Sequence, residues 1–476
     1  MIPAADTIAA IATARGRAAL AIVRLSGPEA VAIADRHLPD RSLAEAASHT
    51  AHVGFFTTPD GERLDQVVAT LFRAPRSATG EDVVEISCHG GDVAPQRILR
   101  ALLDGGARLA RPGEFTERAF LNGKLDLAQA EAVAELIHAQ SSLAHRVSLN
   151  HLQGRYSDAV GVARDELLQT CALVELELDF AEEDVEFADK AQLEALLDRT
   201  AHLLERLLGS YRLGTLVRDG VRVVIGGRPN AGKSTLLNAL VGRDRAIVSP
   251  TPGTTRDEIE AEAEIGGLSF RFVDTAGLRE TEDAVEAEGV RRAHAAIERS
   301  DALLYVYDLT RGLDDEEAAW LHRFTVKRSE ADFGEATPSE DGERLPVLLV
   351  GNKSDLLGGE ATTPDLDLPS LVLSAEQSAA DPDALAPLRA WLLDAVAADL
   401  SDAEATPIVT NQRHRQHFDR ALESVRRTRE ALGAGLTGEA LALDLRAALH
   451  ELGAVTGEIT NEDVLGTIFS RFCIGK

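Results

Sequence analysis

Cysteine is almost absent from this chain of 476 residues, which holds only Cys88, Cys171 and Cys473. An odd number with no paired spacing excludes a disulfide framework or a zinc ribbon and suits a reducing cytosol. Long apolar runs are missing too. No stretch of about 18 apolar residues occurs, and Arg15, Arg17 and Arg24 interrupt the first segment, so neither a membrane span nor a secretory leader is expected. The chain should be soluble and cytoplasmic, with no membrane partner. Positive charge is in short supply. The net charge of −29 argues against a broad nucleic-acid-binding surface, because phosphate neutralisation supplies most non-specific affinity. Any RNA contact must be local or lent by another protein. Lysine is scarcest of all: Lys124, Lys190, Lys233, Lys327, Lys353 and Lys476 are six of the 49 basic residues, and the other 43 are arginine. An ammonium is a compact point charge and a guanidinium a planar fork, so a site that needs the former resists replacement. Four of the six lysines fall in the motifs below.

What is present is a set of four stretches in fixed order. Residues 227–234 read G-R-P-N-A-G-K-S, follow the apolar run 221–225 and open a helical pattern at Leu236, Leu237 and Leu240. That strand–loop–helix context marks a phosphate-binding P-loop. Backbone N–H groups of Asn230, Ala231, Gly232, Lys233, Ser234 and Thr235 would cradle phosphates at a helix N-terminus. Lys233 would reach the β- and γ-phosphates, and the Ser234 hydroxyl would ligate Mg²⁺. Behind it come Gly253-Thr254-Thr255, Asp274-Thr275-Ala276-Gly277 and Asn352-Lys353-Ser354-Asp355. The last selects the base. The Asp355 carboxylate can accept from both the N1–H and the exocyclic amine of guanine, whereas adenine offers no such donor pair. GTP is the expected nucleotide.

At this length about three domains are expected. Residues 1–118 alternate β-rich runs (20–25, 66–72, 83–88) with loops and one helical pattern, 94–103, and read as an α+β module. Residues 119–215 turn helical. Leu193, Leu196, Leu197, Leu203, Leu204, Leu207, Leu208 and Tyr211 recur at helical spacing as one buried stripe. Residues 216–400 alternate strands (221–225, 258–265, 268–273, 302–308, 347–351, 371–373) with helices, the pattern of a mainly parallel sheet covered on both faces. Residues 401–476 are helical again over 412–432, 438–452 and 461–469. One helical domain interrupted by an inserted nucleotide-binding domain is the expected layout, two separate helical domains the alternative. His414 and His417, three apart, are expected on a solvated helix face.

Two departures concern catalysis. After Gly277 stands Leu278, where many small GTPases carry a Gln that orients water. An aliphatic side chain cannot do so, which leaves Arg279, Glu280, Glu282, Asp283 and Glu286 as candidates that composition does not separate. Residues 249–255 read S-P-T-P-G-T-T. Thr255 would complete the Mg²⁺ shell, and oxygens of this turn, with Asn230, could hold a monovalent cation between the β- and γ-phosphates, where an arginine finger otherwise neutralises charge.

With these residues in view, the chain resembles the MnmE (TrmE) family of tRNA modification GTPases from end to end. The resemblance rests on R-P-G-E-F-T-E-R-A-F at 111–120, L-N-G-K-L-D-L at 121–127, P-N-A-G-K-S at 229–234 and the terminal F-C-I-G-K at 472–476. It implies a multidomain α/β and α fold: an N-terminal α+β domain resembling folate-binding modules, a discontinuous helical domain and an inserted Ras-like P-loop GTPase domain. It implies that Arg24, Glu81, Lys124 and Lys476 contact a tetrahydrofolate derivative, 5-formyl or methylene, as one-carbon donor. It further implies potassium at Asn230, Ser249, Thr251 and Thr254, magnesium at Ser234 and Thr255, a hydrolytic water at Glu286, and guanine support from Ser374, Ala375 and Glu376. Cys473 is a suspected participant. The implied assembly is a homodimer that joins an FAD-dependent partner, MnmG (GidA), in a heterotetramer or larger complex. The implied reaction adds an aminomethyl or carboxymethylaminomethyl group to C5 of the wobble uridine of certain tRNAs. The sequence departs from the family's usual pattern in Pro250 and Pro252 of the cation loop and in Glu376. Proline keeps its carbonyl as a ligand and loses only a donor. The rival functional class is a GTPase switch in ribosome or particle assembly, which has no use for folate.

Overall fold

A computed structural model describes residues 6–14, 16–40, 42–179, 190–242, 260–274, 295–323, 345–357, 363–378, 381–396, 407–436, 438–460 and 462–476. The chain divides into two compact units. One comprises Met1–Ile137, Leu149–Leu204 and Gln416–Lys476, the other His138–Ser148 and Glu205–Arg415.

The first unit opens with a six-stranded sheet: β1 (Ile8–Ile11), β2 (Leu20–Ser26), β3 (Thr50–Thr57), β4 (Arg63–Phe72), β5 (Val83–His89) and β6 (Arg108–Leu109), in the order β3-β4-β5-β2-β1-β6. Alternation builds it. Val23, Leu25, Val67, Ala69, Leu71, Val84 and Ile86 turn to one face and bury against Ile33, Ile98 and Leu102 of the helices Ala30–Asp35 and Ala94–Asp104. The opposite face leaves Leu20, Val53 and Val68 exposed, with Val53 and Val68 cross-strand partners. The single helix expected here becomes two, and β1, β3 and β6 are added. β1 and β6 escape periodicity because they are short, and β3 because Ala51, His52 and Gly54 interrupt its β-forming Thr, Val and Phe residues.

The helices Glu114–Leu121 and Leu127–His138 continue this unit, followed by Arg155–Asp179. Gly438–Thr456 packs along Arg155–Asp179 and ties to it through Arg446 and Glu175, 2.7 Å apart. Leu127 and Ala130 bury with Leu465 and Phe469 of the helix Glu462–Phe469 and with Phe472. Leu193, Leu196, Leu197, Leu204 and Leu207 of Lys190–Gly209 are buried, as the stripe requires. The solvated face expected for the two histidines does not form: His414 is buried, and His417 Nδ1 lies 2.7 Å from Glu451.

The second unit holds the other sheet, β7 (Val221–Gly226), β8 (Glu260–Ile265), β9 (Leu268–Asp274), β10 (Ala302–Asp308), β11 (Val347–Asn352) and β12 (Ser370–Val372), in the order β12-β11-β10-β7-β9-β8. All pairings are parallel except β8 on β9. Near-continuous burial of β7, β10 and β11 reflects helices over both faces. From β7 the chain passes to β9 on one side and β10 on the other, so a topological switch point opens at the carboxyl ends of these strands. Among the described residues no helix is long and apolar enough to cross a membrane.

Candidate functional site

The phosphate loop springs from the end of β7 and runs into the helix Lys233–Val241. Asn230 sits at φ 63° and Gly232 at φ 97°, so the loop curls in a left-handed conformation that turns successive N–H groups toward one point. A Cβ on Gly232 would stand 2.0 Å from Asn352 Nδ2, which explains the glycine. The buried Lys233 ammonium donates to the carbonyls of Gly227 at 2.9 Å and Arg228 at 2.8 Å, folding its charge across the mouth of the loop. Ser234 Oγ donates to Asp274 Oδ2 at 3.1 Å. A hydroxyl and a carboxylate converging at a helix N-terminus form the hard oxygen donor set that suits Mg²⁺ beside a phosphate. The residues present therefore fit the nucleotide and its metal.

The Asn352–Asp355 stretch, expected to read the base, begins at the end of β11. Asn352 is buried; its Nδ2 donates to Ala231 O and its Oδ1 accepts from Ala375 N, both at 2.8 Å. One side chain thus joins the phosphate loop, the Asn352–Asp355 stretch and the Ser374–Glu376 stretch. Lys353, at φ 68°, is held by Asp308 at the end of β10, with Nζ 2.7 Å from Oδ2. Asp308 Oδ1 accepts from Thr310 N and Oγ1. Burial alone would raise the Asp308 pKa, but the bonds from Lys353 and Thr310 outweigh it and hold the carboxyl below its ordinary value. Asp355 is exposed in its 3₁₀ turn, free to meet a ligand.

In the first unit the helix Glu114–Leu121 is the hub. Arg24 lies over the Phe115 ring, 5.6 Å from its centroid, and its Nε donates to Glu85 at 2.8 Å. Glu81 accepts from Ser26 Oγ at 2.7 Å and from Arg118 Nη1 at 3.1 and 3.2 Å. Lys124 follows the helix, its Nζ donating to Pro75 O at 3.2 Å, while Asn122 Nδ2 donates to Thr79 O. Both contacts dock the N-G-K turn on the loop that carries Glu81. At the other end of the helix, Gly113 N donates to Cys473 O and Pro112 bridges Ile474. Gly475 passes Ile11 so closely that a Cβ would meet its carbonyl at 2.4 Å. The structure thus gathers Arg24, Glu81, Lys124 and the segment carrying Cys473 and Lys476 around one helix, from three distant parts of the chain. Cys473 is exposed.

Sequence reasoning missed the ion cluster that supports this hub. Glu114 is buried and accepts from Arg108 at 2.6 and 3.1 Å, from Arg118 at 3.2 Å and from Arg111 N at 2.8 Å. Arg118 also donates to Asp6 at 2.6 Å. Burial pushes the Glu114 pKa upward, but these donors outweigh it and leave the carboxyl below its usual range. Glu117, with weaker compensation from Arg111, is pushed up by burial. The i,i+4 spacing of Glu114 and Arg118 was the available signal; nothing local pointed to Asp6 or Glu81.

Ser249, Thr251, Gly253, Thr254, Thr255, Thr275, Ala276, Gly277 and Glu286 lie outside the described residues.

A doubly wound sheet with this loop, this Asn352–Asp355 stretch and this strand order defines a P-loop GTPase, joined to an α+β module and a helical domain. A family model described as MnmE helical domain matches residues 127–473, and one described as GTP-binding protein TrmE N-terminus matches residues 7–124. The chain is 62% identical over 477 residues to the tRNA modification GTPase MnmE of Salinibacter ruber, covering 99% of each. It is 42% identical over 486 residues to the protein of that name from Christiangramia forsetii and 41% over 482 residues to that from Flavobacterium johnsoniae, again covering 99% of each chain. The chain belongs to the MnmE (TrmE) family.

Proposed function

We propose that this GTPase modifies tRNA together with an FAD-dependent partner of the MnmG (GidA) kind, adding an aminomethyl or carboxymethylaminomethyl group to C5 of the wobble uridine. The observation that carries the reading is the gathering of Arg24, Glu81, Lys124 and the Lys476 segment around the helix Glu114–Leu121. Two or more cations and a fixed carboxylate suit a tetrahydrofolate derivative, with its hydrogen-bonding pterin and anionic glutamate tail. Bound there, the folate supplies the one-carbon unit; Glu81, oriented by Ser26 and Arg118, would orient the pterin, and Lys124 and Lys476 would meet the tail. Flavin chemistry belongs to the partner, as does most of the basic RNA surface this acidic chain lacks.

In the GTPase domain, Lys233 and the loop N–H groups would hold the phosphates, and Asp355 with Ser374, Ala375 and Glu376 the guanine. Ser234 and Thr255 would bind Mg²⁺. Asn230, Ser249, Thr251 and Thr254 would hold K⁺, and Glu286 would position the attacking water. The exposed cross-strand pair Val53 and Val68 on the sheet face supports a homodimer through the N-terminal domains, because apolar side chains left in solvent favour self-association. The domain boundaries we propose are 1–118, 119–215, 216–400 and 401–476. The experiment that tests the reading is titration of the purified protein with 5-formyltetrahydrofolate. Saturable binding that Lys124→Ala weakens is expected. Absence of binding contradicts the folate role and favours an assembly switch.

A further inference from the structure

The phosphate loop carries an arginine whose side chain leaves the nucleotide site altogether. Arg228, second residue of the loop, pairs through Nη2 with Asp314 and through Nε with Glu317 Oε1 at 3.2 Å. These two carboxylates are themselves fixed. Asp314 caps the helix Asp315–His322: its side chain accepts from Glu317 N at 2.8 Å, and Glu317 Oε2 accepts from Asp314 N at 3.0 Å. This capping box satisfies two otherwise orphan donors and locks both side chains. Glu317 is buried, and its Oε1 also accepts from Tyr305 OH, on β10, at 2.7 Å. The guanidinium therefore docks on a rigid seat built from a helix start and a core strand.

The backbone of the same residue faces the other way. Arg228 O accepts from Lys233 Nζ at 2.8 Å and from Ala231 N at 3.3 Å, inside the curl of the loop. When Lys233 turns to a phosphate, that inner tie is given up. The side-chain fork to Asp314 and Glu317 then remains, with the Ala231 N to Arg228 O and Asn352–Ala231 bonds, to keep the loop curved.

We infer that Arg228 is a positioning residue for phosphate binding, clamping the loop to the capping box of the helix Asp315–His322 so that its N–H groups converge on the β-phosphate. A fork that engages two carboxylates defines an orientation that a single ammonium does not.

The test compares GDP with GMP, displacing a fluorescent guanine nucleotide from the full-length protein. GMP lacks the β-phosphate that the loop grips. Arg228→Ala should weaken GDP about tenfold, the scale of one charge-assisted hydrogen bond, and leave GMP unchanged within twofold. Arg228→Lys should recover part of the loss. Glu317→Gln should reproduce it, and combining it with Arg228→Ala should add little further. GDP affinity unchanged in Arg228→Ala overturns the inference; so does an equal loss for GDP and GMP, which would mean general damage to the domain. If Arg228→Ala does not fold, Arg228→Lys and Glu317→Gln carry the same comparison, and an unaltered GDP-to-GMP ratio in both overturns it.

Discussion

Asn352 donates its side-chain amide to the carbonyl of Ala231 across 2.8 Å, so the segment proposed to read the base and the loop proposed to hold the phosphates are joined directly. The same amide accepts from Ala375 N through its oxygen. Asn352→Ala leaves a buried carbonyl and a buried N–H without these partners, a loss of about 1–3 kcal/mol. GDP and GTP should both bind about 5- to 150-fold more weakly, measured by nucleotide displacement. Affinities within twofold of the unaltered protein would show that the coupling is not used.

Glu114 gives the first unit a pH dependence. Its carboxyl is held below the ordinary value of 4.5 by Arg108, Arg111 N and Arg118. A depressed carboxylate contributes stability that is complete above the unfolded pKa and is lost as pH falls through the folded one. Glu114→Gln should therefore destabilise the protein at neutral pH by about 3 kcal/mol, the cost of breaking a buried pair, with the gap narrowing below about pH 4.5. Urea midpoints at pH 7 and pH 4 measure it. A difference that stays constant between the two would contradict the ionic role.

The three thiols should differ sharply. Burial pushes Cys88 and Cys171 up to about 11, with Asp65 and Glu175 adding to the respective shifts, whereas Cys473 is exposed. A thiol-specific reagent at pH 7.5 should label one cysteine per native chain and three after denaturation. Rapid labelling of Cys88 would mean that the N-terminal sheet opens.

Potassium tests the proposed cation loop. GTP hydrolysis should be fast in KCl and slow in NaCl, and Asn230→Ala should erase the difference. Glu286→Ala should bind GTP yet hydrolyse it about 10²- to 10⁴-fold more slowly, as expected for the loss of a water-positioning group. Equal rates in the two salts for the unaltered protein remove the cation from the mechanism.

Much of this architecture is legible in the sequence where one residue class repeats. β10 is a continuous apolar run with the bounds expected of it, because a strand covered on both faces admits little else. The strand–loop–helix of residues 221–241 is legible because its apolar run, its glycines and its helical leucines each favour one local conformation. Legibility fails where partners lie far apart along the chain. His414 is buried because of packing that helical spacing does not encode. Glu81 meets Arg118 across 37 positions, and Arg228 reaches Asp314 from another element altogether. Such contacts follow from topology, which brings them together after the local patterns have been read. The scarcity of lysine drew attention to Lys124, Lys233 and Lys353, whose ammonium groups are fixed on Pro75 O, Gly227 O and Asp308.

The most direct test of the central claim is nucleoside analysis of tRNA after incubation with this chain, an FAD-dependent MnmG-type partner, GTP, Mg²⁺, K⁺ and methylenetetrahydrofolate, with ammonium or glycine as the amine source. The account predicts an aminomethyl or carboxymethylaminomethyl uridine at the wobble position that requires the chain, the folate and hydrolysable GTP together, and that Lys124→Ala and Lys233→Ala each abolish. The same modified uridine appearing without folate, or no modification although GTP is hydrolysed, would contradict it.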